Sequence, residues 1–509
     1  MDTNSRRIAK NTLLLYVRML FTMAIGLYTS RVVLNTLGVT DYGIYNVVGG
    51  VISLLGFITS SMAGASSRYI TYDLGKGDMA VMKRTFGNII SIHFVLAGVV
   101  FLVGETLGLW FVLNKLQIPS ERMTAAFWVY QFSVFSAILG VVSVPYNAAI
   151  IAHERMKAFA YIGIVDALLK LLIVYLLLVV PYDKLIVYAM LLFCVQVFDR
   201  VVYGWYCVRN FEEARAKCTF DKGLFKKIFG FAAWTMNGNL AIIGYTQGIN
   251  ILLNLFFGPA VNAARGVAVQ VQFVVQSFCG NFQTALNPQL TKSYEKNELG
   301  YMHNLLKRSS KFSFFILFFI ALPLMLEASL VLGWWLGMVP EHTVNFLRLV
   351  LCSSILVTLS NPLVVSVHAT GNLKKFQLVE GTMLLSIVPI AYLLLKLFGI
   401  RPEYVFCVHI AVEFFTQIAR MKIVLLMISM RIGSYVKEVL VPILKVLVIA
   451  PIVPLCFYVL LHQSVTAFLV VCLVSVLGVG LTVYYAGCTR SEQEYIRELV
   501  MAKVVSLKR

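Results

Sequence analysis

Residues 145–159 read PYNAAIIAHERMKAF, and residues 362–376 read PLVVSVHATGNLKKF. Pro, Ala, Lys and Phe recur in step between the two stretches, 217 positions apart, and each stretch lies where a hydrophobic span ends. Two further pairs repeat at nearly the same distance: Leu37-Gly38 with Phe257-Gly258, and Lys83-Arg84 with Lys307-Arg308. The sequence therefore predicts an internal duplication. Membrane proteins built from two similar halves usually move a substrate between them.

The composition excludes a soluble globular protein. The 509 residues are 59% hydrophobic and 13% charged, whereas a soluble domain carries roughly a quarter charged residues. Apolar runs of the ~20 residues that cross a hydrocarbon core occur about fourteen times, and such runs must be helices because each satisfies its own backbone hydrogen bonds. The predicted spans are residues 11–34, 43–65, 86–112, 125–152, 158–180, 185–208, 228–257, 263–286, 312–336, 343–369, 376–397, 404–430, 439–461 and 465–486.

The repeat gives the predicted fold: an all-α polytopic membrane protein in which spans one to six match spans seven to twelve as a parallel pseudo-repeat. Five segments follow: a six-helix bundle at 1–208, a linker at 209–227, a second six-helix bundle at 228–430, two added helices at 431–487 and an amphipathic tail at 488–509. Leu224 and Phe225 among the lysines of the linker predict a helix that lies on the membrane surface.

The formal charge of +19 is unevenly distributed. Most Lys and Arg residues lie in the connections that follow even-numbered spans, which the positive-inside rule assigns to the cytoplasm. We therefore expect a multi-pass protein of the bacterial inner membrane with both termini cytoplasmic, a first span that is retained rather than cleaved, and no nucleic-acid partner.

Other classes of site are not indicated. The nine cysteines form no CxxC or Cys/His cluster, so neither a disulfide framework nor a metal site is expected. No GxxxxGK[ST] loop is present, and the connections on the outer side are too short for a catalytic domain. We therefore expect no enzyme activity and no cofactor.

Two arginines in the first span are candidate substrate-binding residues. Arg18 has no acidic residue in its span, so it suits an anionic substrate, although its side chain could instead bend toward cytoplasmic headgroups. Arg31 lies near the outer end, about 140° around the helix from Arg18 at ~100° per residue, where it could line a mouth or reach the headgroups.

Uncharged amides dominate the seventh and eighth spans. The candidate substrate-binding residues there are Asn239, Gln247, Asn250, Gln272 and Gln276, with Asn254 and Gln283 on the same faces. Carboxamides hydrogen-bond sugar hydroxyls through both donor and acceptor sites, but they also hold membrane helices together. The sequence leaves both interpretations open.

Charged residues in later spans allow ion coupling. His409 and Glu413 on the twelfth span form a candidate proton relay, with Gln417 and Arg420 on the same stripe. The alternative is an internally satisfied polar seam. Asp166 and Lys170 are four residues apart on the fifth span and are predicted to neutralise one another, while Arg348 is predicted to reach the interface. Glu105 and Glu327 receive no role.

Three motifs make the chain similar to a known superfamily: Asn11-Thr-Leu-Leu-Leu-Tyr16, Leu37-Gly-Val-Thr-Asp-Tyr-Gly-Ile-Tyr45 and Ser66-Ser-Arg-Tyr69. With the fourteen-span layout, they resemble the polysaccharide-transporter branch of the multidrug/oligosaccharidyl-lipid/polysaccharide exporter superfamily, the Wzx-type O-antigen flippases. The resemblance covers nearly the whole chain and implies two six-helix bundles around a central cavity.

The resemblance also implies an activity. Such a protein transfers an undecaprenyl-pyrophosphate-linked oligosaccharide, for lipopolysaccharide or another surface polysaccharide, across the inner membrane by alternating access. Its expected partners are that lipid-linked oligosaccharide, membrane lipids, and the polymerase and glycosyltransferases of polysaccharide synthesis. The alternatives are a cation-coupled multidrug exporter, which would usually carry an acidic residue in the first or seventh span, a lipid II flippase, and a membrane scaffold that transports nothing.

Overall fold

The structure, a computed structural model, describes residues 3–153, 155–295, 297–461, 464–494 and 497, while side chains of residues 3–18 and of scattered others lie outside the description. The described residues form helices joined by short connections, with no β-strand among them. The all-helical polytopic fold predicted from the sequence is confirmed.

Fourteen helices, α1 to α14, correspond to the fourteen predicted spans within the described residues. Their bounds are α1 3–37, α2 39–76, α3 Met79–Asn114, α4 Ser120–Ala152, α5 Met156–Val179, α6 Lys184–Asn210, α7 Lys222–Phe257, α8 Pro259–Glu295, α9 Leu299–Leu326, α10 Thr343–Thr370, α11 Lys374–Phe398, α12 Glu403–Met427, α13 Ile432–Leu460 and α14 Val465–Gly487. A short helix, Ala328–Leu336, follows α9.

Eleven helical stretches among the described residues are both long and apolar enough to cross a membrane. The first of them, Met19–Ser53, covers α1 and the start of α2. Three segments do not meet this criterion: the remainder of α2, the whole of α8 and the whole of α12. Helix α8 is 37 residues long and α12 is 25 residues long. Their serines, amides and charges lower the mean hydropathy. The three most polar spans are thus helices whose side chains need polar partners.

The predicted repeat is visible in the backbone at two glycines. Gly38 joins α1 to α2 with φ 80° and ψ 170°, and Gly258 joins α7 to α8 with φ 82° and ψ −177°. Only glycine adopts this conformation readily, because a Cβ atom would clash with the backbone. The two halves therefore make the same turn at equivalent positions.

The chain packs as two compact units that do not follow the repeat boundary. Unit 1 contains Met1–Val267, Leu336–Glu341 and Leu384–Pro402, and unit 2 contains Ala268–Trp335, His342–Met383 and Glu403–Arg509. Helix α7 therefore belongs to unit 1, where Gly248 lies against Val388 and Phe256 contacts Tyr392. The division at 208 and 228 remains a prediction from the repeat.

Unit 1 has two main apolar clusters. One joins α2, α3, α4 and the start of α7 around Phe86, Ile89 and Met62, and the other joins α2, α4 and α6 around Tyr130, Val129 and Leu185. In unit 2 the core includes Phe314 and Phe318 of α9 with Phe346 and Leu347 of α10. Burial of these side chains is worth about 25 cal/mol per Å² in water, but in lipid close packing contributes more.

The linker differs from its prediction. Residues 211–221 contain one turn of 3-10 helix, Glu213–Arg215, rather than a surface-lying helix, and Leu224 and Phe225 form the first turn of α7. Tertiary contacts explain the difference. Glu213 is 1% exposed and accepts a bond from His153 Nε2 at 2.5 Å, and Phe211 stacks on the His153 ring at 4.1 Å. The predicted tail helix lies mainly outside the described residues.

Both halves interrupt their third helix at an acidic residue. In α3 a π turn, Gly104–Gly108, contains Glu105, and its displaced carbonyl at Gly104 accepts a bond of 2.5 Å from Tyr130 Oη. Gly108 is required there because a Cβ atom would lie 2.2 Å from the Tyr130 hydroxyl. In the second half Glu327 separates α9 from the short helix that follows.

Candidate functional site

Unit 1 contains a cavity of about 770 Å³ that opens among α2, α3, α4, α5 and α6. Small side chains on α4 contribute to the space, and they recur at helical spacing: Ser133, Ser136, Ala137, Gly140 and Ala148. Polar groups from other helices complete the lining: Tyr45, Ser53, Thr59, Ser60, Lys170 and Gln196. The volume lies within the range of small-molecule sites.

Among the described residues, Lys170 is the one charged residue of this lining. Its Nζ atom lies 2.8 Å from Asp166 Oδ2, so the predicted i,i+4 ion pair is present. The Lys170 side chain is still 48% exposed, and Asp166 is not part of the lining. The cavity therefore presents an ammonium group that is already paired with a carboxylate, together with hydroxyls and amides. The carboxylate of Asp199 on α6 interacts with the same pair. The sequence reasoning missed this site, although the stripe of small residues on α4 was a readable signal.

Arg265, on α8 in unit 1, is a second cation that the sequence reasoning missed. It is 7% exposed, and its Nη2 donates to the Thr246 carbonyl at 2.7 Å. Its Nε has no hydrogen-bond partner, and no carboxylate of the described residues pairs with it. A buried guanidinium without an acidic partner is costly in a membrane protein and marks a functional candidate.

The two arginines predicted from the sequence are less informative. Arg18 lies in α1, but its side chain is outside the described part of the chain. Arg31 is exposed on the same helix. Arg31 is not in the lining of the unit 1 cavity. Their proposed contacts with substrate remain predictions.

The amides of α7 hold unit 1 together. Asn250 is 3% exposed, donates to the Asn46 carbonyl at 3.1 Å and accepts from Asn262 at 2.7 Å. Asn239 donates to Ser61 at 2.9 Å, and Gln247 lies 3.5 Å from Asn250. Asn254 binds both the backbone N–H and the carbonyl of Gln117. These bonds favour the helix-packing interpretation over sugar binding for Asn250 and Asn254.

The amides of α8 bind α10 within unit 2. Gln272 and Gln276 both donate to Ser354 Oγ, at 2.9 and 3.1 Å, and Gln283 donates to the Thr358 carbonyl at 3.0 Å. Side chains of Gln272 and Gln276 are half-buried rather than enclosed. Their hydrogen bonds again favour a packing role.

The polar stripe of α12 forms a buried network in unit 2. Arg420 is 5% exposed and binds Glu413 of its own helix and Glu380 of α11, the latter at 2.7 Å. Ser360 and Gln417 complete its contacts. His409 instead approaches Ser353 Oγ at 3.4 Å. The structure therefore brings Glu413 to Arg420, and the two carboxylates around one guanidinium leave a formal charge of −1.

In each half a basic side chain forms a clamp, that is, an ion pair that joins the beginnings of even-numbered helices. In unit 1 Arg122, in the first turn of α4, binds Asp41 of α2 at 2.5 Å and Asp183, before α6, at 2.6 Å. In unit 2 His342 binds Glu403 at 2.6 Å. Arg122 and His342 are 220 positions apart, as are Asp183 and Glu403. The repeat therefore extends to these side-chain pairs.

Metal-binding clusters are not indicated by the described side chains. No group of three His, Cys, Asp or Glu residues is placed to hold a metal ion in the part of the chain that the structure describes.

Solved structures with this fold are membrane transporters. The lipid II flippase MurJ in an inward closed conformation superposes with a TM-score of 0.68 at 11% identity, covering 96% of this chain and 100% of that one. A multidrug resistance MATE family transporter of the MOP superfamily, inward-facing, gives 0.65 at 14% identity, covering 82% and 96%. A MOP superfamily transporter from Pyrococcus furiosus gives 0.58 at 13%, covering 84% and 96%. The fold is that of the MOP superfamily.

The family follows from the sequence. A family model described as "Polysaccharide biosynthesis protein" matches residues 8–294, more than half of the chain. The chain therefore belongs to the polysaccharide biosynthesis protein family. No curated protein matches the sequence.

Proposed function

We propose that this protein is a flippase that moves a polyprenyl-pyrophosphate-linked oligosaccharide across the bacterial inner membrane. The observation that carries the proposal is the unit 1 cavity, because it combines one ammonium group with hydroxyls and amides. Sugar hydroxyls need such donors and acceptors, and a pyrophosphate needs a cation. Arg265, which is buried in unit 1 outside the lining of that cavity, is a further cation, and it has no acidic partner among the described residues.

The proposed mechanism is alternating access. The protein would expose its binding groups first to the cytoplasmic side and then to the outer side, while the polyprenyl chain stays in the bilayer. Membership of the polysaccharide biosynthesis family and the shared transporter fold support this mechanism. Both termini are proposed to be cytoplasmic because the basic connections follow the even-numbered helices. The proposed partners are the polymerase and glycosyltransferases that make and extend the glycan.

Ion coupling is proposed for the α12 network. Glu413 and Glu380 share Arg420, and two carboxylates around one cation favour the uptake of a proton. His409 lies on the same helix and contacts Ser353. A proton taken up by Glu413 or Glu380 would neutralise the excess negative charge and could accompany a change of state.

A cation-coupled multidrug exporter is the main alternative. A site for organic cations is expected to present a carboxylate, whereas the charged group in the lining of the unit 1 cavity is Lys170. A lipid II flippase is a second alternative with the same anionic lipid chemistry, and the identity of the sugar separates it from the proposed function.

The test uses purified protein in vesicles with a fluorescent polyprenyl-pyrophosphate glycan in one leaflet. We expect transfer to the other leaflet, and we expect Lys170→Gln to slow it at least tenfold because the cation is lost. In Lys170→Gln the carboxylate of Asp166 loses its partner, so the double variant Asp166→Asn/Lys170→Gln removes that carboxylate as well. The double variant should transfer the glycan as slowly as Lys170→Gln. Lys445→Gln, at an exposed lysine of α13, is the matched control.

Two results would contradict the proposal. Export of an organic cation without glycan transfer would favour the multidrug exporter, and selective transfer of lipid II would favour the peptidoglycan precursor. If both Lys170 variants transferred the glycan at the parent rate, the substrate would not bind in the unit 1 cavity.

A further inference from the structure

Glu327 is a buried carboxylate that has no partner among the described residues. It is 6% exposed at the interruption after α9, and its carboxylate has neither an ion pair nor a hydrogen bond to any described residue. It lines a cavity of about 150 Å³ inside unit 2, between the end of α9 and helices α13 and α14. A buried carboxylate needs a cation, a proton or hydrogen-bond donors to offset its desolvation.

The internal repeat shows that this arrangement is specific to the second half. Glu105 holds the equivalent position in α3, and Gln131 of α4 donates to it at 3.1 Å. Gln131 lies fourteen residues before Pro145, and the residue fourteen positions before Pro362 is Arg348, which donates to the carbonyls of Met325 and Leu326. The second half therefore has no amide in the place of Gln131, and no hydrogen bond joins Arg348 to the Glu327 carboxylate among the described residues.

The remaining cavity lining supplies neutral oxygen atoms. Tyr458 and Ser464 contribute hydroxyl groups, and Leu330, Ala467, Phe468 and Val471 make up the apolar part with Leu461. Helix α13 ends at Leu460, so carbonyls of its last turn lack partners within the helix. The C-terminal end of α13 carries a partial negative charge that favours cations. The N-terminal end of α14, where Ser464 Oγ accepts from the Ala467 N–H, carries a partial positive charge, so the negative charge of the cavity comes from Glu327.

We propose that Glu327 binds an alkali-metal cation in this cavity. One carboxylate surrounded by neutral oxygens matches the charge of a monovalent ion, whereas Ca²⁺ and Mg²⁺ sites generally use more carboxylates or substrate phosphates. The volume holds an ion with a few water molecules at about 30 Å³ each. Bound there, the cation joins α9 to the helix pair α13 and α14 of unit 2, and it is separate from the Arg420 network.

The experiment is a binding measurement on the purified full chain. Trp334 reports on the cavity because its ring lies 4.9 Å from Phe468, a lining residue. Tryptophan fluorescence is followed while NaCl or KCl replaces N-methylglucamine chloride at constant ionic strength and pH. We expect a saturable change that Trp334→Phe removes, and we expect Glu327→Gln to abolish the binding.

Matched variants make the result specific. Glu105→Gln alters the equivalent carboxylate of the first half and should leave the titration unchanged. Tyr458→Phe removes one oxygen while keeping the ring, so it should raise Kd several-fold; this variant keeps the proposal testable if Glu327→Gln does not fold. These readouts involve no glycan transfer, so they stand apart from the flippase assay.

The proposal is overturned if neither Na⁺ nor K⁺ gives a saturable response, or if Glu327→Gln and Tyr458→Phe both titrate like the parent protein. A response to pH alone would also overturn it, because Glu327 would then hold a proton rather than a metal cation.

Discussion

Buried cations in this chain differ in the groups that surround them. Arg420 lies between two carboxylates, and Arg348 donates to the carbonyls of Met325 and Leu326 at the end of α9. Lys311 is 2% exposed and pairs with Glu492, whereas Arg265 has only a carbonyl partner among the described residues. Most of these partners come from other helices. The sequence alone therefore could not show which cations are neutralised by a carboxylate and which are not.

Arg18 gives a prediction at this scale. Arg18→Ala is expected to lower glycan transfer strongly, because the anionic head group loses a cation, while the protein inserts and accumulates normally. Glycan transfer in vesicles and the amount of folded protein are both measured for Arg18→Ala, and the same two measurements are made for Arg31→Ala as a comparison. Full transfer by Arg18→Ala would mean that this side chain reaches the headgroup region and does not bind substrate.

At the scale of elements, the Arg122 clamp joins the ends of α2, α4 and α6. Asp183 also accepts bonds from the backbone N–H groups of Leu185 and Ile186, so it caps α6. Burial by itself would raise the pKa of Asp183, but hydrogen bonds from Arg122 and from these N–H groups outweigh it and lower that pKa below the ordinary value. The clamp therefore favours the ionised carboxylate.

The sign of the resulting pH dependence follows from that lowered pKa. The contribution of the Asp183 carboxylate to the free energy of unfolding is fully present above its unfolded-state pKa of about 3.9. This contribution is lost as the pH falls through the lower pKa that Asp183 has in the folded protein. Asp183→Asn is expected to destabilise the protein at pH 7 by about 1 to 3 kcal/mol, and the difference should shrink below about pH 4. Thermal unfolding between pH 7 and 3.5 measures both effects.

Exposed Glu121, next to Arg122, provides the control for this experiment. Glu121→Gln should match the parent protein at every pH. If the difference between Asp183→Asn and the parent stays constant down to pH 3.5, the carboxylate does not act through its charge.

At the scale of the whole molecule, the added helix pair is integrated into unit 2. Lys307 of α9 binds Glu438 at 2.9 Å, and Lys311 binds Glu492, which follows α14, at 2.5 Å. His303 contacts the carbonyl of Ile428 at 2.8 Å. One face of α9 thus holds the region beyond α12, although the sequence presented residues 431–487 as an addition.

Glu492→Gln tests this connection. Leaving Lys311 buried and unpaired is expected to cost about 3 to 5 kcal/mol, seen as earlier thermal unfolding. The double variant Lys311→Met/Glu492→Leu should recover much of that loss, because the buried charge is gone. Exposed Glu494→Gln is the control, and equal stability of Glu492→Gln and Glu494→Gln would contradict a buried pair.

The sequence by itself determined the helical membrane fold, the order of the spans and the repeat. These depend on local properties: the length of apolar runs, the distribution of Lys and Arg, and glycine at Gly38 and Gly258. It also predicted the pairing of Asp166 with Lys170, because that contact lies within one helix.

Only the tertiary structure decided which polar residues meet. Asn250 contacts Asn46, Arg420 reaches Glu380, and Lys170 lines a cavity to which the small residues of α4 contribute. It also showed that Glu327, the counterpart of Glu105 in the repeat, lacks an amide partner among the described residues. Such contacts join residues far apart in sequence, so helical periodicity identifies the face a residue occupies but not the group it finds there.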